Sequence, residues 1–214
     1  MYAIISVSYL LVKLKIMNRV LKFFLFALFI LPYLPLKAQT YEERYNECSQ
    51  ALENITREDT IYMYKVLERD KCLIGAPAPD FTRKAMQGQS IQLSKLKGQV
   101  VVLNFWSTGC IPCIEEISTL NRLVKQYAKK NVAFISVTPN NAKTLKAFFV
   151  KHPFHFTTIP ESDDLRKNVF KLPSVIPYTV VIDTKGKISK LWFGNLGSDT
   201  FKFYQEAIKD ALSK

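Results

Sequence analysis

Hydrophobic residues along this chain recur at two spacings, which predict alternating strands and helices. Continuous apolar runs such as Val100–Phe105 and Val132–Val137 are typical of buried strands. The segment Pro112–Tyr127 places its apolar residues three or four apart, which indicates an amphipathic helix. Further predicted elements are a β element at Gln89–Leu93, a helical turn at Ser94–Gly98, helices at Ala142–Val150, Asp164–Phe170 and Thr200–Leu212, and strands at His155–Ile159, Thr179–Ile182 and Ile188–Phe193.

Alternation of strand and helix over residues 100–137 predicts a right-handed βαβ unit. The fold class is therefore α/β, with a central mixed sheet flanked by helices on both faces. Residues 74–214 are long enough to form this domain. Residues 39–73 form a predicted helical extension, with helices at Tyr41–Leu52 and Ile61–Leu67.

The first 38 residues differ in composition from the rest of the chain. They contain five basic and no acidic side chains, and Phe23–Leu36 is apolar apart from two prolines. This pattern predicts a secretory signal peptide, with Ala38 at the cleavage edge and Met17 as a candidate start. An uncleaved membrane anchor is the alternative. Without this segment the net charge falls from +12 to +7, and the scattered lysines indicate a solvated surface rather than nucleic-acid binding.

Two cysteines separated by two residues, Cys110 and Cys113, lie where a predicted strand gives way to a helix. The unpaired N–H groups at a helix start stabilise a thiolate, so the pKa of such a cysteine falls from about 8.5 to roughly 3.5–7.5. Cys110 is therefore the expected nucleophile. Cys113, one turn further along, is expected to be more buried and to act as the resolving cysteine.

A zinc site is the alternative use of such a cysteine pair, but it needs two further ligands. The other cysteines, Cys48 and Cys72, form no second closely spaced pair. His152 and His155 lie between a predicted helix and a predicted strand, as surface or packing residues. We therefore predict a redox dithiol and no metal.

Four stretches form a pattern wider than the dithiol alone: Gly75–Phe81, Asn104–Trp106 with the dithiol after it, Ser174–Asp183, and Thr184–Lys187. Together they resemble the TlpA/ResA-type thioredoxin-like thiol–disulfide oxidoreductases of bacterial envelopes, from about residue 74 to the last residue. The resemblance implies a thioredoxin fold with a TlpA-type insert between Ala142 and Phe170. It also implies disulfide exchange without a cofactor.

The resemblance further implies roles for residues around the dithiol. Pro177 matches the family's cis-proline, and the backbone of Ile176 is expected to pair with a bound substrate chain; an ordinary trans proline is the alternative. Glu116 matches a glutamate credited with proton handling, although it could equally be a solvent-facing charge. Asn104, where thioredoxin has a buried acid, cannot exchange a proton because it is an amide. Trp106 and Ile176 are the expected substrate contacts.

The signal-like segment and the resemblance together predict a location in the bacterial periplasm, with membrane contact only through an uncleaved N-terminal segment. The expected partners are disulfide-containing exported proteins or an apocytochrome. A reductive enzyme there also needs a membrane electron-donor protein. Cys48 and Cys72 bracket the helical extension, and we hypothesise that they form a structural disulfide.

Two other functions occur on related folds. A copper metallochaperone usually has C-x-x-x-C and a distant histidine, and the spacing here is one residue shorter. A peroxiredoxin-like peroxidase needs a proline and a hydroxyl before its reactive cysteine, where this chain has Leu103 and Ser107. The motif therefore favours disulfide exchange, with the copper carrier and, less so, the peroxidase as alternatives.

Overall fold

The structure is a computed structural model that describes residues 15–22 and 38–214. The chain divides into two compact units, Met1–Ala38 and Gln39–Lys214. The signal peptide or anchor predicted for the first unit falls outside the described residues, apart from a helical stretch at 15–22 and Ala38 itself. Among the helices that are described, none combines the length and apolar character that crossing a bilayer requires.

A five-stranded mixed sheet forms the centre of the second unit, beside a small hairpin. The strands are β1 Thr82–Lys84, β2 Ser90–Gln92, β3 Val100–Phe105, β4 Val132–Val137, β5 Thr157–Ile159, β6 Tyr178–Ile182 and β7 Ile188–Phe193. The order in the sheet is β5-β4-β3-β6-β7, and β1 pairs only with β2. β3 and β4 are parallel, as are β4 and β5, whereas β6 runs antiparallel to both β3 and β7.

Helices cover both faces of this sheet. They are α1 Tyr41–Ser49, α2 Tyr62–Leu73, α3 Ile111–Tyr127, α4 Ala142–Lys151 and α5 Thr200–Leu212. Leu120 of α3, Leu145 of α4 and Ile208 of α5 belong to one core cluster. Tyr41 of α1 and Leu73 of α2 belong to the cluster on the other face.

The central strand β3 is buried on both faces, because five of its six residues are apolar. Successive side chains of a strand alternate in direction, so Leu103 and Phe105 enter the cluster with α1 and α2, while Val102 enters the cluster with α3 and α5. The same alternation directs the Asn104 amide towards α3 and α5. A polar side chain therefore enters this core close to the end of the strand.

The helical extension forms part of the core. The Tyr41 hydroxyl donates to the Phe170 carbonyl oxygen at 2.6 Å. The Tyr45 hydroxyl donates to the Lys171 carbonyl oxygen at 3.2 Å. A disulfide joins Cys48 in α1 to Cys72 at the end of α2, with their Cα atoms 5.6 Å apart. The two helices are thus tied covalently to each other and by hydrogen bonds to the domain.

The segment predicted as a helix at Asp164–Phe170 is a π-helical turn, Leu165–Val169. The Phe170 N–H donates to the Leu165 carbonyl oxygen, five residues back, at 2.8 Å. This wider turn brings the fully buried Leu165 and Phe170 side chains to the same side, whereas an α-helix would turn them apart. Core packing therefore explains the difference.

Other predicted boundaries move by a few residues. β5 begins two residues after His155, because the His155 N–H donates to the Asn121 side chain at 2.8 Å rather than to a strand. α2 continues beyond the predicted end at Leu67 to Leu73, whose side chain is fully buried. The β element predicted at Gln89–Leu93 is the second strand of the hairpin.

Replacing Cys48 and Cys72 together by alanine is expected to lower the free energy of unfolding by about 3 kcal/mol. The disulfide joins residues 24 positions apart and so restricts the unfolded chain. Urea-induced unfolding under oxidising conditions measures the loss. Cys110→Ala with Cys113→Ala is the matched control, since it removes a cross-link across only three positions and should cost less. Equal stability of the Cys48/Cys72 variant and the parent would contradict the prediction.

Candidate active site

The dithiol lies at the junction of β3 and α3, where Cys110 is the N-cap residue of the helix. Its Sγ accepts a hydrogen bond from the Cys113 backbone N–H at 3.3 Å. The two sulfur atoms are joined in a disulfide. Pro112 fits the first turn because a missing N–H loses no intrahelical bond there. After reduction, the Cys113 N–H and the helix dipole stabilise a thiolate on Cys110.

The two cysteines differ in their access to solvent. Cys110 is half-buried, whereas the Cys113 side chain is only 2% exposed and packs in the apolar cluster with Ile117. An incoming sulfur can therefore reach Cys110 but not Cys113.

The loop before β6 faces the outer sulfur. The Ile176–Pro177 peptide bond is cis, and the Ile176 carbonyl oxygen lies 3.6 Å from Cys110 Sγ. Pro177 is buried, and its carbonyl oxygen accepts the Gly194 N–H at 2.8 Å. Ile176 is half-buried. The loop thus presents a main-chain oxygen and an apolar side chain at the dithiol.

A cleft of about 150 Å³ lies beside this loop. Its lining includes both predicted substrate contacts, Trp106 and Ile176, together with Ser107, Pro139 and Ser174. The Trp106 side chain is buried and packs against three rings, those of Phe148, Phe149 and Phe154. Ile176 is therefore the more accessible of the two, and substrate contact stays a prediction for both.

Four buried polar side chains form a connected group that includes Glu116 of α3. Asn104 Nδ2 donates to Glu116 Oε1 at 3.0 Å and to Thr179 Oγ1 at 3.1 Å. The Thr179 hydroxyl is 2.8 Å from the Tyr204 hydroxyl. Strands β3 and β6 and helices α3 and α5 each contribute one member. Glu116 lies one helical turn after Cys113 and is likewise buried.

Burial raises the pKa of Glu116 from its ordinary value of 4.5 to about 8, and the hydrogen bond from Asn104 opposes this rise only in part. In the disulfide form the Glu116 carboxyl group is therefore protonated at neutral pH. Glu115, the residue before it in the helix, is exposed. The site thus holds one buried proton on a side chain one helical turn from Cys113.

The sequence patterns singled out Asn104 and Glu116 but missed Thr179 and Tyr204. Thr179 pairs directly with Asn104 across β3 and β6. A polar residue within an otherwise apolar strand was the available signal for it. Tyr204 is one of several aromatic residues near the start of α5, and only its packing distinguishes it.

The two histidines occupy packing or surface positions. The His152 ring stacks on Phe148 with centroids 4.7 Å apart, and His155 is exposed. Within residues 15–22 and 38–214, no group of three or more histidine, cysteine or acidic side chains is arranged to hold a metal ion.

Proteins with similar sequences are thiol–disulfide oxidoreductases. The thiol-disulfide oxidoreductase ResA of Geobacillus thermodenitrificans is 30% identical over 151 residues, which cover 70% of this chain and 86% of the relative. The ResA of Bacillus thuringiensis subsp. konkukian is 32% identical over 131 residues, covering 60% and 75%. The family model described as the AhpC/TSA family matches residues 74–191.

Solved structures agree with these relatives. A Chlorobium tepidum protein assigned as the thiol:disulfide interchange protein DsbE has a TM-score of 0.57 at 26% identity, with 65% of this chain and 98% of the other covered. The thioredoxin domain of a Bacteroides vulgatus thiol-disulfide oxidoreductase, at 22% identity and a TM-score of 0.55, supports the fold. The predicted thioredoxin fold and the predicted disulfide exchange with protein substrates are confirmed. The chain belongs to the AhpC/TSA family and is a thiol–disulfide oxidoreductase of the ResA type.

Proposed function

We propose that this protein reduces disulfide bonds in exported proteins, with Cys110 as the nucleophile and Cys113 as the resolving cysteine. The observation that carries the proposal is the position of Cys110 Sγ at the N-cap of α3. There it accepts the Cys113 N–H at 3.3 Å and stays within reach of solvent. A sulfur atom in this position ionises more readily than that of a free cysteine.

The exchange takes two displacement steps. The Cys110 thiolate attacks one sulfur of the substrate disulfide, forms a mixed disulfide and expels the other sulfur as a thiolate. Cys113 then loses its proton, attacks Cys110 Sγ and expels the second substrate thiolate, while both released thiolates take up protons. Two electrons pass from the enzyme dithiol to the substrate, and a donor dithiol returns them by the reverse steps.

The Ile176–Pro177 loop is proposed to hold the substrate chain during these steps. The Ile176 carbonyl oxygen is 3.6 Å from Cys110 Sγ, so an extended substrate that pairs with this backbone brings its disulfide to the nucleophile. The cleft lined by Trp106 and Ile176 suits a side chain that flanks the substrate cysteine.

Glu116 is proposed to exchange a proton with Cys113. When the donor opens the enzyme disulfide, Cys113 leaves as a thiolate and takes the proton that Glu116 holds. The Glu116 carboxylate takes the proton back when Cys113 attacks the mixed disulfide. Asn104 keeps the carboxyl group in place through the 3.0 Å hydrogen bond. A buried group is needed because Cys113 itself is buried.

The surroundings of Cys110 support the reductive direction. Strongly oxidising members of this fold owe their potential to a highly stabilised thiolate. Here Cys110 Sγ accepts a hydrogen bond from the Cys113 N–H, but it also faces the Ile176 carbonyl oxygen, whose partial negative charge disfavours a thiolate. This opposition limits the stabilisation of a thiolate at this position and favours the disulfide form.

The proposed partners follow from this direction and from the composition of residues 1–38. The basic and apolar pattern of residues 1–38 supports export to the periplasm, where disulfides of exported proteins or of an apocytochrome are the proposed substrates. That compartment is oxidising, so we also propose a membrane protein that donates electrons to the dithiol.

Cys110→Ser is expected to abolish insulin reduction by the full chain in the presence of dithiothreitol, because it removes the attacking thiolate. Pre-reduced Cys113→Ala, mixed with insulin after dithiothreitol has been removed, is expected to accumulate a mixed disulfide with the substrate, which a non-reducing gel separates. Both variants should unfold cooperatively. Insulin reduction that survives in Cys110→Ser, or copper retention by a wild-type protein that cannot reduce insulin, would contradict the proposal.

Glu116→Gln is expected to slow reduction of the enzyme disulfide by dithiothreitol on the order of 10²-fold near neutral pH, because the Cys113 thiolate loses its proton donor. Above pH 8 the difference should shrink, since wild-type Glu116 is then ionised. The ratio of the two stopped-flow rates at each pH cancels the titration of the donor. Glu115→Gln, the exposed neighbour, is the control and should match the wild type throughout. A ratio that does not change with pH would refute the proton role.

The stability of the oxidised protein should also depend on Glu116. Its pKa is higher in the folded protein, about 8, than the ordinary 4.5, so the unfolded chain releases this proton at lower pH. The free energy of unfolding should therefore fall as pH rises between these values, by up to about 1.4 kcal/mol per pH unit from this group. Urea titrations across this range should show the fall for the wild type and Glu115→Gln, but not for Glu116→Gln. Parallel curves for all three would exclude a protonated Glu116.

A further inference from the structure

A second buried polar group lies on the opposite face of the sheet from Glu116. It consists of Arg69 and Asp70 in α2 and Tyr178 at the start of β6. The guanidinium donates to Asp70 Oδ1 from Nη2 at 2.6 Å and from Nε at 3.1 Å. The Tyr178 hydroxyl donates to Asp70 Oδ2 and lies 3.5 Å from Arg69 Nη2. Arg69 and Asp70 are each 3% exposed, and Tyr178 is fully buried.

This arrangement is not explained by bulk stability. Consecutive positions of a helix do not face each other, so the Arg69 side chain has to fold back onto Asp70. The desolvation cost of a buried ion pair roughly offsets the attraction between its two charges, and apolar side chains of similar volume would stabilise the core equally well. A hydrogen-bonded ion pair does fix the orientation of its partners, because its atoms donate and accept at defined angles. Here the side chain that it orients is Tyr178.

Tyr178 follows Pro177 directly and is two residues from Ile176, whose carbonyl oxygen faces Cys110 Sγ. The backbone of Tyr178 pairs with Phe105 at the end of β3. Its hydroxyl is held by Asp70, and the carbonyl oxygen of Pro177 is held by the Gly194 N–H. The Ile176–Pro177 loop, called the substrate loop below, is thus anchored from two sides, once by the sheet edge and once by α2.

We propose that Asp70, oriented by Arg69, is a positioning residue that fixes Tyr178 and thereby sets the Ile176 backbone for a protein substrate. The inference rests on the substrate-binding role proposed for the Ile176–Pro177 loop. A polypeptide that pairs with this backbone depends on its position, whereas a small disulfide needs only the exposed sulfur of Cys110. The pair therefore governs selectivity for protein disulfides over small ones.

The helix that supplies the pair lies outside residues 74–191, the part matched by the AhpC/TSA family model. Several contacts join this helix to α1 near Asp70. Cys72, two residues further on, is joined to Cys48, and its carbonyl oxygen accepts from Arg44 Nη2 at 3.0 Å. The Arg69 guanidinium lies over the Tyr45 ring, 5.7 Å from its centroid. The extension thus contributes a selectivity element to the domain.

The test uses Tyr178→Phe in the full chain, which removes only the hydroxyl and leaves the ion pair intact. Pre-reduced enzyme is mixed with insulin or with hydroxyethyl disulfide, and its oxidation is followed in a single turnover. We expect the half-saturating insulin concentration to rise on the order of tenfold with little change in the limiting rate. The rate with hydroxyethyl disulfide should stay within about twofold. Asp70→Asn should act in the same direction. The double variant should bind insulin no more weakly than the more impaired single variant, because both substitutions disturb one contact.

Tyr41→Phe is the matched control, because it also deletes a buried hydroxyl group that links the extension to the domain. This hydroxyl donates a hydrogen bond to the Phe170 carbonyl oxygen and does not contact the substrate loop. It should lose comparable thermal stability without a change in insulin saturation. Equal losses with insulin and hydroxyethyl disulfide, or unchanged insulin saturation in both Tyr178→Phe and Asp70→Asn, would overturn the inference. A wild-type enzyme that reduces hydroxyethyl disulfide but not insulin would instead refute the proposed function on which it rests.

Discussion

The burial of β3 on both faces is the constraint on which the other features depend. An apolar central strand leaves no freedom in which side chain faces which layer, so its alternation places Asn104 among α3 and α5 and Phe105 among the helices of the extension. The strand then ends beside the helix start that carries Cys110. The position of the dithiol, the partner of Glu116 and the edge that receives the substrate loop all follow from this one register.

Two consecutive residues after Pro177 connect the substrate loop to both sides of the sheet. The Tyr178 hydroxyl donates a hydrogen bond to Asp70 on the face of the extension. The Thr179 hydroxyl accepts a hydrogen bond from Asn104 on the face of α3 and α5. The first contact ends at the buried Asp70 carboxylate, and the second leads through Asn104 to Glu116. The domain therefore contains one buried polar group beside the proposed proton exchange and another beside the proposed substrate loop. Hydrogen-bonded polar groups of this kind specify geometry more than they add stability.

Much of the fold was predictable because most elements carry an unambiguous hydrophobic period. Val100–Phe105, Val132–Val137 and Ile188–Phe193 are strands at the predicted bounds, and the helix Thr200–Leu212 agrees as well. Prediction was less accurate where packing outweighed local preference. The π-helical turn at Leu165–Val169 depends on two buried side chains five residues apart, and β5 starts late because Asn121, remote in sequence, binds a backbone N–H that the strand would use.

By itself, the sequence determined that a cysteine pair lies at a strand-to-helix junction, because this feature depends only on local spacing. The resemblance to the TlpA/ResA-type proteins then implied roles for the proline loop and for the glutamate one turn beyond the dithiol. Only the tertiary structure decided the state of those groups. The pKa of Glu116 is raised because four elements converge around it and bury it, and Tyr178 is oriented because its hydroxyl meets Asp70 of α2. Desolvation and contacts between distant segments set these properties, and neither leaves a periodic signal along the chain.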